Sequence, residues 1–475
     1  MNPSIYAKFK NNDLFVTDSG EKTKYNRVLE VSESKEFQST HRNLVFCFCE
    51  NKSESILGYL ALLACQAVPL VLNPTISDKH LKELIQIYSP NFIFAPSVRL
   101  VDLGSFRIMF SIGEYALTSV DSISNYSINS SLALLISTSG STGSPKYIRL
   151  SRENIMANAQ AISQYLSINQ DDKPITTLPA SYTYGLSIIH SHILNGATIA
   201  LTDKTFFDAG FWSYLKEVKA TSFGGVPYHY EILKKLRFEK FELPSLKTLT
   251  QAGGRMSSDA TREFAVNCYQ KGIRFITMYG QAEATARMSY LIHDDLASKA
   301  GSIGGAIPGG NLWIVDEKGN KILLPNQPGE LVYSGNNVCL GYADNQSDLA
   351  LGDEFNGILM TGDMAYFDSD GYFFITGRKK RFLKIFGHRL NLQDIEDYLC
   401  SSGFITVCAG RDDLLEVYIE DMTESRRIEI KNKLVLEYRV SPKAIHVISI
   451  SKFPRNETGK ILYSQLQLKS IDNLV

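Results

Sequence analysis

Residues 132–146 read LALLISTSGSTGSPK, the strongest local signal in the chain. The apolar run at its start predicts a buried strand, which leads into a loop of glycines and small hydroxyl residues ending on Lys146. Backbone N–H groups and hydroxyls in such a loop can surround phosphate oxygens, while the lysine supplies a positive charge. The spacing is not that of a Walker A motif, and a Ser/Gly-rich surface linker is the alternative. We favour the phosphate loop, because linkers rarely follow an apolar strand directly.

The residues before this loop alternate strand-like and helix-like patterns. Strands are predicted at 43–48, 68–72 and 91–95, and helices at 53–66 and 79–88. This β-α-β-α-β order is typical of a mostly parallel sheet covered by helices.

The alternation of strand-like and helix-like patterns continues after the loop. Ile155, Ala159, Ile162 and Leu166 recur at helical spacing and predict one apolar helix face, with Ser151 as the N-cap. The α/β pattern therefore lies on both sides of the loop.

The pattern becomes β-rich from about residue 311, with strands predicted at 312–315 and 330–333 between turn signals. The last part of the chain has an α+β order of its own. We therefore predict an α/β fold of two domains. Residues 1–379 form a large N-terminal domain of helix-covered, mostly parallel sheets plus a small β-barrel-like part, and residues 380–475 form a small C-terminal α+β domain.

The composition is that of a globular protein of several domains. The 475 residues include 49 Lys+Arg and 50 Asp+Glu, so the net charge of −1 gives no general attraction for nucleic acid or an anionic membrane. Hydrophobic residues make up 44%, which argues against disorder. The seven scattered cysteines are expected to be buried free thiols in a reducing compartment. No targeting or membrane-spanning segment is recognised, so the expected location is the cytoplasm.

A second motif, at 278–285, reads MYGQAEAT. Tyr279 offers a flat ring for stacking on a base, beside Gly280 and Gln281, and Glu283 offers a hard oxygen ligand for Mg²⁺. Taken alone, the motif is more typical of a loop that enters a helix.

A third motif lies in the β-rich part. Asp363, in Thr-Gly-Asp, can accept two hydrogen bonds from a ribose diol, although a turn aspartate is an equal alternative. Residues 368–371 predict a hairpin turn and not a calcium loop, because the later glutamate is missing.

The fourth motif is a basic run of six cations from Arg378 to Arg389, where interleaved glycines and apolar residues favour a functional cleft edge over a solvated basic face. A last motif, FPRNETGKI at 453–461, presents Lys460 on a glycine-containing turn.

Together, in this order and spacing, the five motifs resemble the AMP-forming adenylating superfamily of acyl-CoA synthetases, firefly-type luciferases and peptide-synthetase adenylation domains. The resemblance runs from about residue 132 to residue 460. The segments LPASYTYGLS at 178–187 and QAGGR at 251–255 look like the acyl-CoA synthetase branch.

The resemblance implies a nucleotide-binding role for each matching residue. The pyrophosphate half of ATP would be held by Thr138, Ser139, Gly140, Ser141, Thr142, Gly143 and Lys146. The adenine would be lined by Gly253, Gly254 and Arg255, with Tyr279 stacking on it, and Gly280 and Gln281 beside Tyr279 would also bind the nucleotide. Thr138 and Glu283 would approach Mg²⁺, and Asp363 with Arg378 would bind the ribose.

The resemblance also implies a two-step reaction and a mobile C-terminal lid. Lys460 would reach the substrate carboxylate and the α-phosphate in the first step. Lys384 and Gly387 would serve the second step, with Lys380 at the hinge. The product is the acyl thioester of coenzyme A, or of the phosphopantetheine arm of an acyl carrier protein. A non-catalytic nucleotide-binding relative is the alternative from a different class.

Two departures from the family pattern stand out. Ala282 replaces the usual Thr, so one hydroxyl contact to the α-phosphate is lost unless Thr285 or a water replaces it. Lys380 occupies the hinge position where many relatives have Asp.

The substrate is expected to be a carboxylic acid without an α-amino group. Amino-acid-activating domains usually carry an Asp near 182–185, and this chain has none there. Tyr184 is expected to border the acyl pocket, with core packing as an even alternative. His190 and His192 are expected to be helix residues and not metal ligands.

Overall fold

The helices and strands whose positions the sequence predicts are all present, each with bounds within about two residues of those predicted. The computed structural model describes residues 2–103, 107–120, 126–137, 147–379, 381–386, 388–420, 423–455, 461–463 and 465–466, with the backbone alone for 101–103, 293, 388 and 389. The α-helices of this described part are α1 (Pro3–Lys8), α2 (Asn26–Ser32), α3 (Lys35–Gln38), α4 (Ser53–Ala64), α5 (Asp78–Tyr88), α6 (Ser97–Leu103), α7 (Arg152–Leu166), α8 (Thr183–Ile193), α9 (Ala209–Glu217), α10 (Pro227–Lys235), α11 (Ser258–Gln270), α12 (Leu392–Ser401) and α13 (Glu424–Tyr438).

The strands of the described part follow the same chain order. They are β1 (Asp13–Thr17), β2 (Lys22–Lys24), β3 (Leu44–Phe48), β4 (Val68–Leu72), β5 (Phe92–Pro96), β6 (Ile108–Ile112), β7 (Tyr115–Ser119), β8 (Leu132–Ser137), β9 (Tyr147–Ser151), β10 (Ile199–Leu201), β11 (Ser222–Gly225), β12 (Thr248–Gln251), β13 (Arg274–Tyr279), β14 (Ser289–Leu291), β15 (Gly305–Ala306), β16 (Gly310–Val315), β17 (Lys321–Ile322), β18 (Gly329–Gly335), β19 (Gly341–Ala343), β20 (Ile358–Phe367), β21 (Phe373–Arg378), β22 (Phe382–Ile385), β23 (His388–Asn391), β24 (Thr406–Arg411), β25 (Leu414–Glu420) and β26 (Ile445–Ile450).

The described chain forms two compact units. The first comprises the described residues up to 137, from 147 to 311 and from 333 to 359, and the second comprises those from 312 to 332 and from 360 onward. The boundary near residue 380 that the sequence suggests stays a prediction.

The first unit contains two large sheets whose central strands are parallel. The eight-stranded sheet has the order β19-β9-β8-β4-β3-β5-β7-β6, and the five-stranded sheet has the order β11-β12-β13-β14-β15. Strands β8, β4, β3 and β5 are parallel neighbours, as are β11, β12 and β13, while β9, β7 and β14 pair with them in antiparallel orientation. Strands β3 and β4 are buried along their whole length, because helices cover the sheet.

Helix α7 illustrates how the sequence sets these elements. Ser151 accepts a hydrogen bond from the backbone N–H of Asn154, whose own side chain caps Ser151 in return. Ile155, Ala159, Ile162 and Leu166 are buried, as the helical spacing predicts. The N-cap prediction is confirmed.

The second unit contains most of a five-stranded sheet and a small α+β part. The five-stranded sheet has the strand order β17-β16-β18-β20-β21, and its two outer pairs, β16–β17 and β20–β21, are antiparallel. In the α+β part, β24 and β25 are antiparallel, β25 and β26 are parallel, and α12 and α13 supply buried residues such as Ile395 and Leu434. The predicted hairpin turn is confirmed, since Asp368 Oδ1 accepts the backbone N–H groups of Asp370 and Tyr372.

The mixed α/β fold class is confirmed. The prediction that the cysteines are buried is wrong for one of the seven. All seven cysteines lie among the described residues and are free thiols there; six of them are buried, but Cys400 is exposed on α12. Among the described residues, no helix combines the length and the apolar character needed to cross a lipid bilayer.

Candidate functional site

Two turns follow neighbouring parallel strands of the five-stranded sheet. Gln251, the last residue of β12, pairs with Thr277 near the end of β13. The carboxyl ends of these strands therefore lie at one edge of the sheet. This edge is where open α/β sheets commonly bind ligands. Residues 252–255 follow β12, and residues 280–285 follow β13.

The turn after β12 is held close to its neighbours. Gln251 donates from Nε2 to the carbonyl oxygen of Gly254 over 2.9 Å. Gly253 has a φ of +79°, and a Cβ there would lie 2.8 Å from the Tyr182 hydroxyl oxygen. The left-handed backbone conformation favours glycine at this position, and a Cβ there would also require the Tyr182 side chain to shift. Gly254 and Arg255 are exposed next to it.

The turn after β13 brings Tyr279 and Glu283 together on one short segment. Tyr279 is half-buried, and its hydroxyl accepts a hydrogen bond from Gln281 Nε2 at 3.3 Å. A Cβ on Gly280 would lie 1.8 Å from the carbonyl oxygen of Ala286, so the chain can fold back only with glycine here. Ala282–Ala284 forms a short 3₁₀ turn that carries Glu283.

Glu283 is positioned by a residue that sequence analysis did not single out. Tyr342 donates its hydroxyl hydrogen to Glu283 Oε1 over 2.9 Å. Burial, and secondly the nearby Glu283, raises the pKa of Tyr342, so the hydroxyl stays a donor at neutral pH. A carboxylate held in this way fits a Mg²⁺ ligand, because hard cations prefer oxygen ligands that are themselves oriented by hydrogen bonds.

Thr285 does not present its hydroxyl as the sequence suggested. The residue is buried, and its Oγ1 donates to the carbonyl oxygen of Asn337 over 2.6 Å. The hydroxyl that Ala282 lacks is therefore not supplied by Thr285, because tertiary packing already engages that group.

Tyr184 lies in the core of the first unit. Its side chain packs in a buried cluster with Val226 and Met278, and its hydroxyl contacts both Oγ1 and the carbonyl oxygen of Thr250 at 2.9 Å. Burial raises the pKa of Tyr184 to about 12, so the phenol is neutral. Its place beside the acyl group stays a prediction.

The two helix histidines are buried on α8, in agreement with the sequence interpretation. Tyr59 Oη lies 3.0 Å from His190 Nε2, and His192 Nδ1 lies 2.8 Å from the carbonyl oxygen of Ile188. Burial lowers the pKa of His190 to about 3 and that of His192 to about 4. Within the described ranges, no cluster of three or more His, Cys, Asp or Glu residues could hold a metal ion.

In the second unit, Asp363 and Arg378 lie opposite each other on the paired strands β20 and β21. Arg378 Nε is 3.1 Å from Asp363 Oδ1, and the Asp363 side chain is 5% exposed while that of Arg378 is 66% exposed. A buried carboxylate with a neighbouring guanidinium at the surface suits recognition of a diol. Glu330, a second residue without a sequence signal, pairs with Lys379 at 2.6 Å.

The basic run is less positive than its sequence suggests. Arg381 pairs with Glu396 at 2.7 Å, in addition to the pairs made by Arg378 and Lys379. Lys384 is exposed on β22, where its backbone N–H donates to Asp412. Carboxylates therefore balance three cations of the basic run, namely Arg378, Lys379 and Arg381.

Several predicted site residues lie outside the described residues. They are Thr138, Ser139, Gly140, Ser141, Thr142, Gly143, Lys146, Lys380, Gly387 and Lys460.

Comparison with known proteins gives one family and a set of similar chains. The family model described as "AMP-binding enzyme" matches residues 36–343. A 2-succinylbenzoate–CoA ligase of Bacillus cytotoxicus is 26% identical over 93% of this chain and 92% of that protein. A medium-chain fatty-acid–CoA ligase of Escherichia coli is 28% identical over 70% of this chain and 60% of that protein.

The solved structure of o-succinylbenzoate CoA synthetase from Bacillus subtilis, in complex with its acyl-adenylate intermediate, superimposes with a TM-score of 0.79. The match covers 98% of both chains at 19% identity, and it shows the fold.

Proposed function

The chain belongs to the AMP-binding enzyme family, and on that premise we propose that it is an acid–thiol ligase that forms AMP. It activates a carboxylic acid with ATP and then transfers the acyl group to the thiol of coenzyme A. Mg²⁺ accompanies the ATP. The proposal includes a cytoplasmic location, which the buried free thiols favour.

One observation carries the proposal: the turns after β12 and β13 lie at one edge of a parallel sheet, and Glu283 is oriented there by Tyr342. The turn at 253–254 consists of glycines without side chains, so an adenine can lie beside its backbone. Tyr279 supplies an aromatic ring on which the adenine can stack. Glu283 supplies a carboxylate for the cation that accompanies the phosphates.

The first step joins the acid to the nucleotide. A carboxylate oxygen of the acid attacks the α-phosphorus of ATP, the bond to the β-phosphate oxygen breaks, and pyrophosphate leaves. Both partners are anions, so the step requires positive charge near the reacting atoms. We assign that charge to Lys460 and Lys146, together with the hydroxyls and backbone of the loop at 138–143.

The second step releases AMP. The thiol loses its proton, its sulfur attacks the carbonyl carbon of the mixed anhydride, and the bond to the phosphate oxygen breaks. We assign Lys384 and Gly387 to this step. Asp363 and Arg378 hold the ribose hydroxyls in both steps.

Mass spectrometry of the chain incubated with ATP, Mg²⁺ and a mixed pool of carboxylic acids tests the proposal. An adenylate of at least one acid is expected. Addition of coenzyme A is expected to convert it into the acyl-CoA thioester. Conversion only with a carrier protein bearing phosphopantetheine would instead make the carrier the acceptor. Binding of ATP without any adenylate would indicate a non-catalytic relative.

A further inference from the structure

Glu330 is a nearly buried carboxylate to which the proposed chemistry assigns no role. It lies on β18, and its side chain is 10% exposed. Its Oε1 accepts a hydrogen bond from the backbone N–H of Gly362 at 3.2 Å, and its Oε2 accepts one from Lys379 Nζ at 2.6 Å. Both carboxylate oxygens are therefore engaged, each by a segment that is distant from Glu330 in the chain.

These three residues form a closed ring of contacts. The carbonyl oxygen of Gly362 accepts the backbone N–H of Lys379 over 2.8 Å, in addition to the two contacts that Glu330 makes. Gly362 has a φ of +69°, a left-handed conformation that interrupts the regular geometry of β20. The N–H of Gly362 is thus held by Glu330 and its carbonyl by Lys379, so both peptide planes that flank Gly362 are fixed.

The two residues that we assign to the ribose are direct neighbours of this ring. Asp363 follows Gly362 on β20, and Arg378 precedes Lys379 at the end of β21. Asp363 Oδ1 lies 3.1 Å from Arg378 Nε. Hydrogen bonds to a hydroxyl require a narrow range of distances and angles, so a small rotation of a peptide beside Gly362 would misplace the Asp363 carboxylate.

The ring also separates the charges of this region into two pairs. Lys379 pairs with Glu330, while Arg378 pairs with Asp363. Each nearly buried carboxylate therefore has a cation of its own. Because Glu330 engages the Lys379 ammonium, this ammonium does not compete with Arg378 for Asp363.

We propose that Glu330 is a positioning residue for the ribose of ATP, which acts through Gly362 and Lys379 on Asp363 and Arg378. The inference rests on the proposed function. Glu330 itself contacts neither the ribose nor the reacting atoms. Its ionised carboxylate is required because it accepts from two donors at once. A glutamine of nearly the same shape has one acceptor oxygen and one NH₂ donor, so one N–H group of the ring would face another donor.

The test measures binding of ATP and of 2′,3′-dideoxy-ATP, which lacks the diol, by calorimetry in the presence of Mg²⁺. The unchanged protein should bind ATP at least about 10-fold more tightly, because the diol hydrogen-bonds to a charged group. In Glu330→Gln, we expect the Kd for ATP to rise about 10-fold and that for dideoxy-ATP to change less than about twofold. An equal rise of both Kd values would indicate a purely structural role and overturn the proposal.

A double variant tests whether Glu330 acts through Asp363. When Asp363→Asn has already removed the carboxylate, added Glu330→Gln should raise the Kd for ATP less than about twofold further, because residues that act through one another are not additive. Effects that multiply in the double variant would overturn the proposal. Glu424→Gln, which removes an exposed carboxylate paired with Arg427 on α13, is the matched control and should leave both Kd values unchanged.

Lys379→Met tests the ring if Glu330→Gln does not fold. The Lys379 side chain is 53% exposed, and the variant keeps the contact of Glu330 with Gly362. We expect it to reduce the preference for ATP over dideoxy-ATP about threefold, because one hydrogen bond of the ring is lost. An unchanged preference would overturn the proposal. Equal binding of both nucleotides by the unchanged protein would refute this inference alone, whereas no binding of ATP would refute the proposed function itself.

Discussion

Tyr342 donates its hydroxyl hydrogen to Oε1 of Glu283 over 2.9 Å, although 59 positions separate the two residues in the chain. Tyr342 lies on β19, at the edge of the eight-stranded sheet, and Glu283 lies in the turn after β13. The hydrogen bond fixes the carboxylate that we assign to Mg²⁺.

Tyr342→Phe removes this hydrogen bond and leaves the ring in place. We expect the Mg²⁺ concentration for half-maximal activity to rise about 10-fold, because residues that orient a metal ligand contribute about this much to metal affinity. Titration of pyrophosphate release with Mg²⁺ measures the effect. Tyr214→Phe, which removes a hydrogen bond to the carbonyl oxygen of Val16, serves as the control and should leave the Mg²⁺ titration unchanged. If the unchanged protein, Tyr342→Phe and Tyr214→Phe all need the same Mg²⁺ concentration for half-maximal activity, the role of Tyr342 is refuted.

Gly280→Ala is expected to destabilise the first unit by about 3 kcal/mol, because the added methyl group would overlap the Ala286 carbonyl oxygen at 1.8 Å. Gly305→Ala is the matched control, since no atom lies within 4 Å of a Cβ there. Urea unfolding followed by circular dichroism compares the midpoints. A Gly280→Ala midpoint equal to that of Gly305→Ala would show that the turn does not constrain this residue.

Asp363→Asn is expected to raise the KM for ATP about 10-fold, through a lost hydrogen bond to a charged acceptor. The unchanged protein should discriminate ATP from 2′-deoxy-ATP and 3′-deoxy-ATP, and the variant should discriminate less. Asp370→Asn, at the exposed hairpin turn, controls for the loss of one negative charge in the same unit. If Asp363→Asn discriminates ATP from the two deoxy analogues as strongly as the unchanged protein does, Asp363 does not bind the ribose.

Histidine burial predicts a loss of stability in acid. Burial lowers the pKa of His190 from its ordinary 6.5 to about 3. The unfolded chain therefore takes up a proton below about pH 6.5 that the folded chain does not bind until about pH 3, so stability is full above this window and decreases as the pH falls through it.

At pH 5.0, His190 accounts for a loss of about 2 kcal/mol relative to pH 7.5. His190→Gln should reduce the difference in unfolding free energy between these pH values by that amount. His80→Gln, at an exposed position of α5, should leave the difference unchanged. A pH difference that His190→Gln fails to reduce would contradict the buried neutral histidine.

Lys384→Ala is expected to slow thioester formation from supplied acyl-AMP by about 100-fold, because a positioned charge stabilises the leaving phosphate. Adenylation of the acid should be nearly unaffected. The exposed Lys443→Ala controls for the loss of one positive charge in the second unit. Lys460→Ala should give the converse pattern. An unaltered thioester step in Lys384→Ala would refute the division of the two steps between these lysines.

Local patterns were sufficient to predict helices and strands such as α4, α7, β3 and β4, and the turn of the site after β13. Ser151 and the apolar face of α7 follow from residues within a few positions of one another, and the same holds for Gly280 and Glu283 in one short turn. The contacts of Glu283 with Tyr342, and of Lys379 with Glu330, join distant strands. They depend on strand order and register, which have no local signal.

The burial of charged groups also could not be predicted from the sequence. Arg287 stands two positions after Thr285, next to a polar turn, and only the packing of α7 and α8 shows that it is buried. For the same reason the basic run looked more positive than it is, since the carboxylates that pair with Lys379 and Arg381 come from β18 and α12.

Acid-stimulated exchange of labelled pyrophosphate into ATP tests the central claim most directly. With saturating ATP and Mg²⁺, we expect at least one carboxylic acid to raise the exchange rate at least about 100-fold above the rate without acid, because enzymes accelerate such steps by many orders of magnitude. A protein that binds ATP but shows the same exchange rate with and without every acid of a broad panel would contradict the account.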